Sequence, residues 1–179
     1  DEAALIEART GQPLTQAWLA HFWAQRDVAL RARLQAIDGA AELVERAHGL
    51  LQGRIACVSG ADRAKVRLQL EKTQLHPWFA DRIFSGHDML RNKPHPDVYQ
   101  AAMRTLGVAP GRCLVIEDTP TGVRAGVAAG AAVVGLCVPD NPVVQSADLL
   151  QAGAQQVVTH LRHVLPESTW EQGPYAHRA

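Results

Sequence analysis

Apolar residues recur at helical spacing in the first part of the chain. Leu14, Trp18 and Phe22 follow one another at intervals of four residues, and this spacing places side chains on one face of an α-helix. Pro13 suits the first turn of this long helix, because a proline lacks only an N–H that has no partner there. The pattern predicts a purely helical segment over residues 1–36.

After residue 36 the pattern changes to short apolar runs that alternate with amphipathic segments. The predicted strands cover residues 54–58, 81–85, 113–116, 132–138 and 156–158. The predicted helices cover residues 40–48 (closed by Gly49), 62–73, 96–106 and 121–129, a short helix capped by Ser146, and a last one ending near Leu165, with a turn at 77–79. Alternating strands and helices predict an α/β fold, a Rossmann-like parallel sheet with helices on both faces. We assign residues 37–166 to this core and 167–179 to a frayed tail.

The charge balance excludes two classes of protein. Lys and Arg number 18, and Asp and Glu number 18, so the formal net charge is zero. Proteins that bind nucleic acid or a membrane surface carry an excess of positive charge. The longest uncharged apolar stretch, residues 125–138, is interrupted by three glycines and is shorter than the roughly 18 residues of a membrane span. We therefore expect neither nucleic acid nor a membrane as a partner.

The three cysteines predict a reducing environment. Cys57, Cys113 and Cys137 all lie within apolar runs, and the chain has no CxxC pair. An odd number of such residues is typical of buried free thiols. The chain opens on DEAALIEART, an acidic helical pattern that does not resemble a signal peptide. These features predict a cytoplasmic protein, and they do not indicate an oligomeric state.

Two carboxylates follow the third predicted strand. In parallel α/β sheets the chemistry lies at the carboxyl ends of the strands, and Glu117 and Asp118 occupy that position in CLVIED. Adjacent carboxylates repel unless a cation lies between them, and oxygen ligands suit Mg²⁺. The alternative interpretation is a solvated pair near the start of the next helix.

Two further groups suit an anion. Ser59, with Gly60 and Ala61, follows the first predicted strand and precedes a helix, so it offers a hydroxyl and backbone N–H groups; a plain helix cap is the alternative. Lys93 lies in NKPHPD, where two prolines stiffen the loop, so that little entropy is lost when the lysine binds a phosphate. Its alternative is an exposed, solubilising lysine.

The order of these groups along the chain (serine, lysine loop, Glu-Asp pair) resembles that of the haloacid dehalogenase-like hydrolase superfamily. Within it, the resemblance is to the phosphatase and phosphoglucomutase branch, which has a helical cap. The matching stretches are CVSGADRAKV, FSGHDMLRNKPHPDVYQAAMRTLGV and CLVIEDTPTGVRAGVAAGAAVVGL. The middle stretch is most similar to sugar-phosphate phosphatases of the 6-phosphogluconate phosphatase and beta-phosphoglucomutase kind. The helical start resembles the second part of the cap.

The resemblance implies a Mg²⁺-dependent phosphatase that hydrolyses a small phosphorylated metabolite, a sugar phosphate, through an aspartyl-phosphate. The implied site residues are Ser59 and Lys93 for catalysis, Ser59, Gly60, Ala61 and Lys93 for the phosphate, and Glu117 and Asp118 for Mg²⁺. A phosphomutase of the same fold and a truncated, non-catalytic relative that binds phosphorylated ligands are alternatives. A receiver-type module is a third, but it does not explain KPHPD.

One family motif has no counterpart in the sequence. The DxDGT/V motif supplies the nucleophile in the family, and these 179 residues contain no DxD pair. In the family its strand lies between the strands that end here at Ser59 and Glu117, so we expect two unpaired strand edges. Each orphan backbone group costs about 1–3 kcal/mol, against a total stability of about 5–15 kcal/mol. We expect that these residues do not fold alone as an active enzyme, and that the nucleophile lies outside them.

Overall fold

The computed structural model describes residues 7–11, 13–139 and 143–165. The chain divides into two compact units, Asp1–Gln35 and Ala36–Ala179. The predicted frayed tail lies outside the described residues. No helix in the described ranges has both the length and the apolar composition to cross a bilayer.

The first unit contains one long helix, α1 (Gln16–Arg33). It begins after Thr15, whose hydroxyl accepts a hydrogen bond from the Trp18 N–H at 3.2 Å. The expectation that Pro13 occupies its first turn is wrong, because the threonine oxygen satisfies a free N–H of that turn and so fixes the helix start. Trp18 and Phe22 lie one turn apart and stack, with ring centroids 5.3 Å apart.

The second unit contains the five strands that the sequence predicts. They are β1 (Cys57–Ser59), β2 (Ile83–Ser85), β3 (Leu114–Glu117), β4 (Ala132–Leu136) and β5 (Gln156–Val158). The first predicted strand begins too early, because residues 54 and 55 bond back to the preceding turn, residues 51–53. The N–H of Arg54 donates to the Leu51 carbonyl at 3.0 Å, and the N–H of Ile55 donates to the Gly53 carbonyl at 2.8 Å.

Within the described part of this unit, six helices connect or flank these strands. They are α2 (Ala40–Leu50), α3 (Arg63–Lys72), α4 (His76–Phe79), α5 (Asp97–Leu106), α6 (Pro120–Ala128) and α7 (Ser146–Gln151). Helix α2 continues through Gly49, so the prediction that this glycine closes it is wrong; the chain turns at Gly53 instead, where φ is +74°. The predicted turn at 77–79 is the short helix α4. The last predicted helix is a single 3₁₀ turn, Leu161–His163.

The strands form two parallel sheets. β1 pairs with β2, so that Ser59 lies opposite Ser85. β3, β4 and β5 pair in that order, and Glu117 lies opposite Gly135. Among the described strands, β1 and β3 each have one edge without a partner, as the sequence predicts. Both strands nevertheless end at the residues that were singled out for chemistry.

Helices cover both faces of the larger sheet. Val133 of β4 is fully buried in a cluster with Val98 of α5 and Val123 of α6. The next residue, Val134, packs into a second cluster that includes Leu43 of α2. Because successive side chains of a strand point to opposite faces, one face of β4 meets α5 and α6 and the other meets α2. The predicted α/β class, with a Rossmann-like parallel sheet between layers of helices, is confirmed.

Candidate active site

A pocket of about 410 Å³ lies at the carboxyl ends of β1 and β3. Its walls come from the end of β1, from the loop that precedes α5, and from the turn between β3 and α6. The lining residues are Val58, Ser59, Gly60, Asn92, Lys93, Ile116, Glu117, Asp118, Thr119 and Thr121. Five of the six predicted site residues therefore share one hollow, and Ala61 is the exception.

The serine at the end of β1 faces the pocket and does not cap a helix. Its Oγ accepts the N–H of Ala61 at 3.1 Å, which occupies the amide that the sequence assigned to a phosphate. Helix α3 is capped by Asp62, whose carboxylate accepts the N–H of Lys65 at 2.8 Å. The interpretation of Ser59 as a plain helix cap is therefore wrong, and Ala61 is not among the residues that line the pocket.

Asn92 fixes the loop that carries the lysine. Its Oδ1 accepts the N–H of Lys93 at 2.7 Å, and its Nδ2 donates to the Gly60 carbonyl at 2.9 Å. Gly86 allows this close approach, because a Cβ there would overlap the Asn92 amide. One side chain thus ties the lysine loop to the loop after β1.

The side chain of Lys93 is largely withdrawn from solvent and only 10% exposed. Its Nζ donates to the Val58 carbonyl at 3.4 Å and to Tyr99 Oη at 3.1 Å, and it forms an ion pair with Glu117 Oε1. The interpretation of Lys93 as an exposed, solubilising lysine is wrong. A lysine with these partners presents a fixed positive charge to the pocket.

Glu117 is the buried partner of this lysine. Its side chain is 7% exposed, and its Oε1 also accepts a hydrogen bond from Tyr99 Oη. Thr119 Oγ1 donates to the other oxygen, Oε2, at 3.3 Å. A buried charge is costly unless it is paired and hydrogen-bonded, and Glu117 meets both conditions. It is therefore not part of a solvated acidic pair.

Asp118 differs from its neighbour because it lies at the open side of the pocket and is exposed. The surrounding pocket wall still removes water from its carboxyl group, and this partial burial raises the pKa of Asp118. The negative charge of Glu117 raises it further, while Lys93 acts in the opposite direction. A cation at this position would relieve the repulsion between the two carboxylates.

The two acids fit a magnesium ion in part. Within residues 7–11, 13–139 and 143–165, no group of three His, Cys, Asp or Glu side chains is arranged to hold a metal. Mg²⁺ is commonly bound by one or two protein carboxylates together with substrate phosphate and water. Because Glu117 already accepts from Lys93 and Tyr99, Asp118 is the carboxylate with the more open oxygens.

Tyr99 and Asn92 are site residues that sequence reasoning missed. Tyr99 follows Val98, which is fully buried in α5, and no motif of the sequence points to the burial of Tyr99 itself. Burial, and then the charge of Glu117, raise the pKa of Tyr99 well above its usual value, so its hydroxyl stays protonated. The available signal was its position beside the apolar face of α5, six residues after Lys93.

Comparison with known proteins identifies the family. The sequence model of the haloacid dehalogenase-like hydrolases matches residues 2–130. The chain belongs to this family. The resemblance inferred from the motifs is thereby confirmed, and the receiver-type alternative is set aside.

Relatives of this haloacid dehalogenase-like hydrolase include named phosphatases. Hexitol phosphatase A of Escherichia coli is 41% identical over 68 residues, which are 37% of this chain and 32% of that protein. The 6-phosphogluconate phosphatase of the same species is 30% identical over 115 residues, 63% of this chain and 50% of that protein. The chain thus spans about a third to a half of the length of these relatives.

A solved structure shows the same fold. A haloacid dehalogenase family hydrolase from Deinococcus radiodurans, crystallised with bound phosphate and sodium, is 31% identical and has a TM-score of 0.73. The match covers 93% of this chain and 73% of that one.

Proposed function

We propose that the protein is a phosphatase that hydrolyses phosphate monoesters of small metabolites, with sugar phosphates as the substrate class. One observation carries the proposal: Ser59, Lys93 and Asp118 come from three separate stretches of the chain and line a single pocket. A hydroxyl, an ammonium group and a carboxylate around one hollow suit a phosphate dianion with a divalent cation. The names of the two Escherichia coli relatives support sugar phosphates as the class.

Each residue has a distinct part in the proposed reaction. Ser59 Oγ and the backbone at Gly60 bind oxygens of the phosphoryl group, and the Lys93 ammonium offsets their negative charge. Such fixed charges act most strongly where charge develops in the transition state. Asp118, supported by Glu117, would hold Mg²⁺, which supplies further charge neutralisation when bound.

The nucleophile in this proposal is an aspartate outside the 179 residues, on the DxD motif of the family. Its carboxylate attacks phosphorus, the P–O bond to the metabolite breaks, and the leaving oxygen takes a proton. Water then hydrolyses the aspartyl-phosphate to aspartate and inorganic phosphate. Two easier steps replace one difficult step.

We also propose a division of labour along the chain. Residues 1–36 would be the C-terminal part of a helical cap that selects the leaving group, and residues 37–166 the hydrolase core without its first strand.

The three cysteines are free, and on that ground we propose a cytoplasmic location.

Phosphate release tests the proposal, measured on the full-length protein, meaning these 179 residues together with the DxD segment that the proposal places outside them. The assay uses hexitol phosphates, 6-phosphogluconate and p-nitrophenyl phosphate, each with Mg²⁺ and with a chelator. Lys93→Ala and Asp118→Asn should each lower kcat/KM by about 10²-fold or more, as expected for loss of a transition-state contact. Lys72→Ala and Asp81→Asn are matched controls, because both residues are exposed and neither lines the pocket.

The outcomes separate the candidate functions. Near-normal rates in both pocket variants would refute the assignment of the site. Phosphate that moves within the sugar without reaching water would identify a phosphomutase. Phosphate binding without turnover of any ester would identify a non-catalytic relative.

A further inference from the structure

Tyr99 is a buried titratable residue that the proposed reaction does not use. Its side chain lies in α5 and the residue is 5% exposed. Its hydroxyl lies between the two charged groups at the back of the pocket: Oη is 3.1 Å from Lys93 Nζ and donates to Glu117 Oε1. Tyr99 itself is not among the residues that line the pocket.

We infer that Tyr99 is a positioning residue, whose hydroxyl holds Lys93 and Glu117 in the geometry with which they serve the phosphate pocket. This inference rests on the proposed phosphatase function. It assigns Tyr99 no contact with the substrate, because the hydroxyl reaches the pocket only through its two charged partners.

The hydrogen-bonding capacities of the three side chains match. A lysine ammonium has three N–H donors and no acceptor, and a tyrosine hydroxyl has one donor and also accepts. Lys93 Nζ donates to Val58 O, to Tyr99 Oη and to Glu117 Oε1. The single O–H of Tyr99 goes to Glu117, so its oxygen is free to accept from the ammonium. The three groups close a ring in which each bond has one donor and one acceptor.

The ring restricts a side chain that is otherwise flexible. A lysine ammonium sits on a four-carbon stem and loses considerable rotamer freedom when it is fixed. The Tyr99 ring adds a second contact, since Nζ lies 4.8 Å from the ring centroid. The tyrosine therefore limits Lys93 from two directions, through its hydroxyl and through its ring.

Glu117 is confined by the same arrangement. Thr119 Oγ1 donates to its Oε2 at 3.3 Å, and the backbone of Gly122 packs so closely that a Cβ there would overlap the carboxylate. With these neighbours on one side, the Tyr99 hydroxyl fixes the oxygen that faces Lys93. Loss of the hydroxyl would leave Oε1 with Lys93 but without its second donor.

Tyr99→Phe tests the hydroxyl alone, because it keeps the ring beneath the ammonium. In the full-length protein, with p-nitrophenyl phosphate as the probe, it should lower kcat roughly 10- to 100-fold, the usual loss for a supporting group around a charged site, with KM changed less than kcat. In a Glu117→Gln background the same substitution should cost little more, because the partner through which Tyr99 acts is already altered. Thr73→Val is the hydroxyl-deletion control, since the Thr73 hydroxyl donates to two backbone carbonyls of α3.

A spectroscopic measurement tests the inference by a property other than activity. A Lys93 ammonium held by three acceptors should give a slowly exchanging ¹⁵Nζ signal, assigned by its absence in Lys93→Ala and weakened by Tyr99→Phe. An ammonium that exchanges like that of Lys72 would overturn the inference. An unchanged kcat in Tyr99→Phe, or losses that add fully with Glu117→Gln, would overturn it as well.

These failures are distinct from failure of the proposed function. If the wild-type protein releases no phosphate from any ester, the phosphatase proposal falls, and the inference falls with it. If the wild type is active and Tyr99→Phe is equally active, only the inference falls.

Discussion

Gly122 offers a sharp test of how tightly the buried carboxylate is held. It lies in the first turn of α6, and the three atoms nearest to a Cβ built there all belong to the Glu117 carboxylate. Each of the three atoms would lie within 3.0 Å of that Cβ, which is closer than Cβ contacts in proteins essentially ever are. In Gly122→Ala the carboxylate must move, and Lys93 and Tyr99 then lose their common partner.

The expected change in stability is the difference of two effects. Replacing glycine by alanine within a helix usually stabilises by about 1 kcal/mol. Separating a buried ion pair destabilises by about 3–5 kcal/mol, because an uncompensated charge stays buried. The net prediction is a loss of about 2–4 kcal/mol in the free energy of unfolding, which corresponds to a fall in Tm of roughly 5–15 °C for a domain of this size.

Urea denaturation of the full-length protein measures this difference, with Gly49→Ala as the matched control. Gly49 lies within α2, and nothing lies within 4 Å of a Cβ built there. The control should therefore be stabilised by up to about 1 kcal/mol. The two alanine substitutions should thus change the free energy of unfolding in opposite directions. A Gly122→Ala protein as stable as the wild type would refute the claim that Glu117 is fixed by its surroundings.

Three further predictions concern single side chains. The pKa of Asp118 is higher in the folded protein than in the unfolded chain. Between these two pKa values the folded protein binds more protons than the unfolded chain. The free energy of unfolding therefore falls as pH rises through that window. Asp118→Asn should therefore be more stable than the wild type in urea at neutral pH without divalent cations, and the gain should vanish at acid pH. Asn92→Ala removes two hydrogen bonds that place the Lys93 loop and should cost about 1–3 kcal/mol in the same assay. Burial raises the pKa of Cys57 to about 11, so its alkylation by iodoacetamide at pH 8, followed by mass spectrometry, should be at least about 100-fold slower than that of a cysteine in an unfolded peptide.

For β1 and β2, the sequence predicted the carboxyl ends of the strands better than their starts. The apolar runs that end near Ser59 and Ser85 locate β1 and β2, but both observed strands begin two or three residues later than predicted. Apolar character continues into the turns that precede strands, where backbone groups bond locally, and hydrophobic pattern alone does not mark that change.

Sequence reasoning finds those site residues that lie at the end of a strand or within a stiff loop. Ser59, Lys93 and Asp118 fall into this class. Tyr99 and Asn92 could not be found in the same way, because their roles come from contacts between elements: Tyr99 of α5 meets Glu117 at the end of β3, and Asn92 meets the loop after β1. Residue type and periodicity describe an element by itself and do not give its partners in space.

Binding of inorganic phosphate tests the central claim most directly, since it requires no knowledge of the natural substrate. Calorimetric titration of the full-length protein with phosphate in the presence of Mg²⁺ should show one site. Lys93→Ala removes the positive charge that offsets the phosphate and leaves Glu117 buried without its ion-pair partner. It should therefore bind phosphate at least roughly 10-fold more weakly, a loss of about 1.4 kcal/mol, while Lys72→Ala binds as the wild type does. Equal affinity of the wild type and Lys93→Ala, or no binding by either, would contradict the assignment of this pocket to a phosphoryl group.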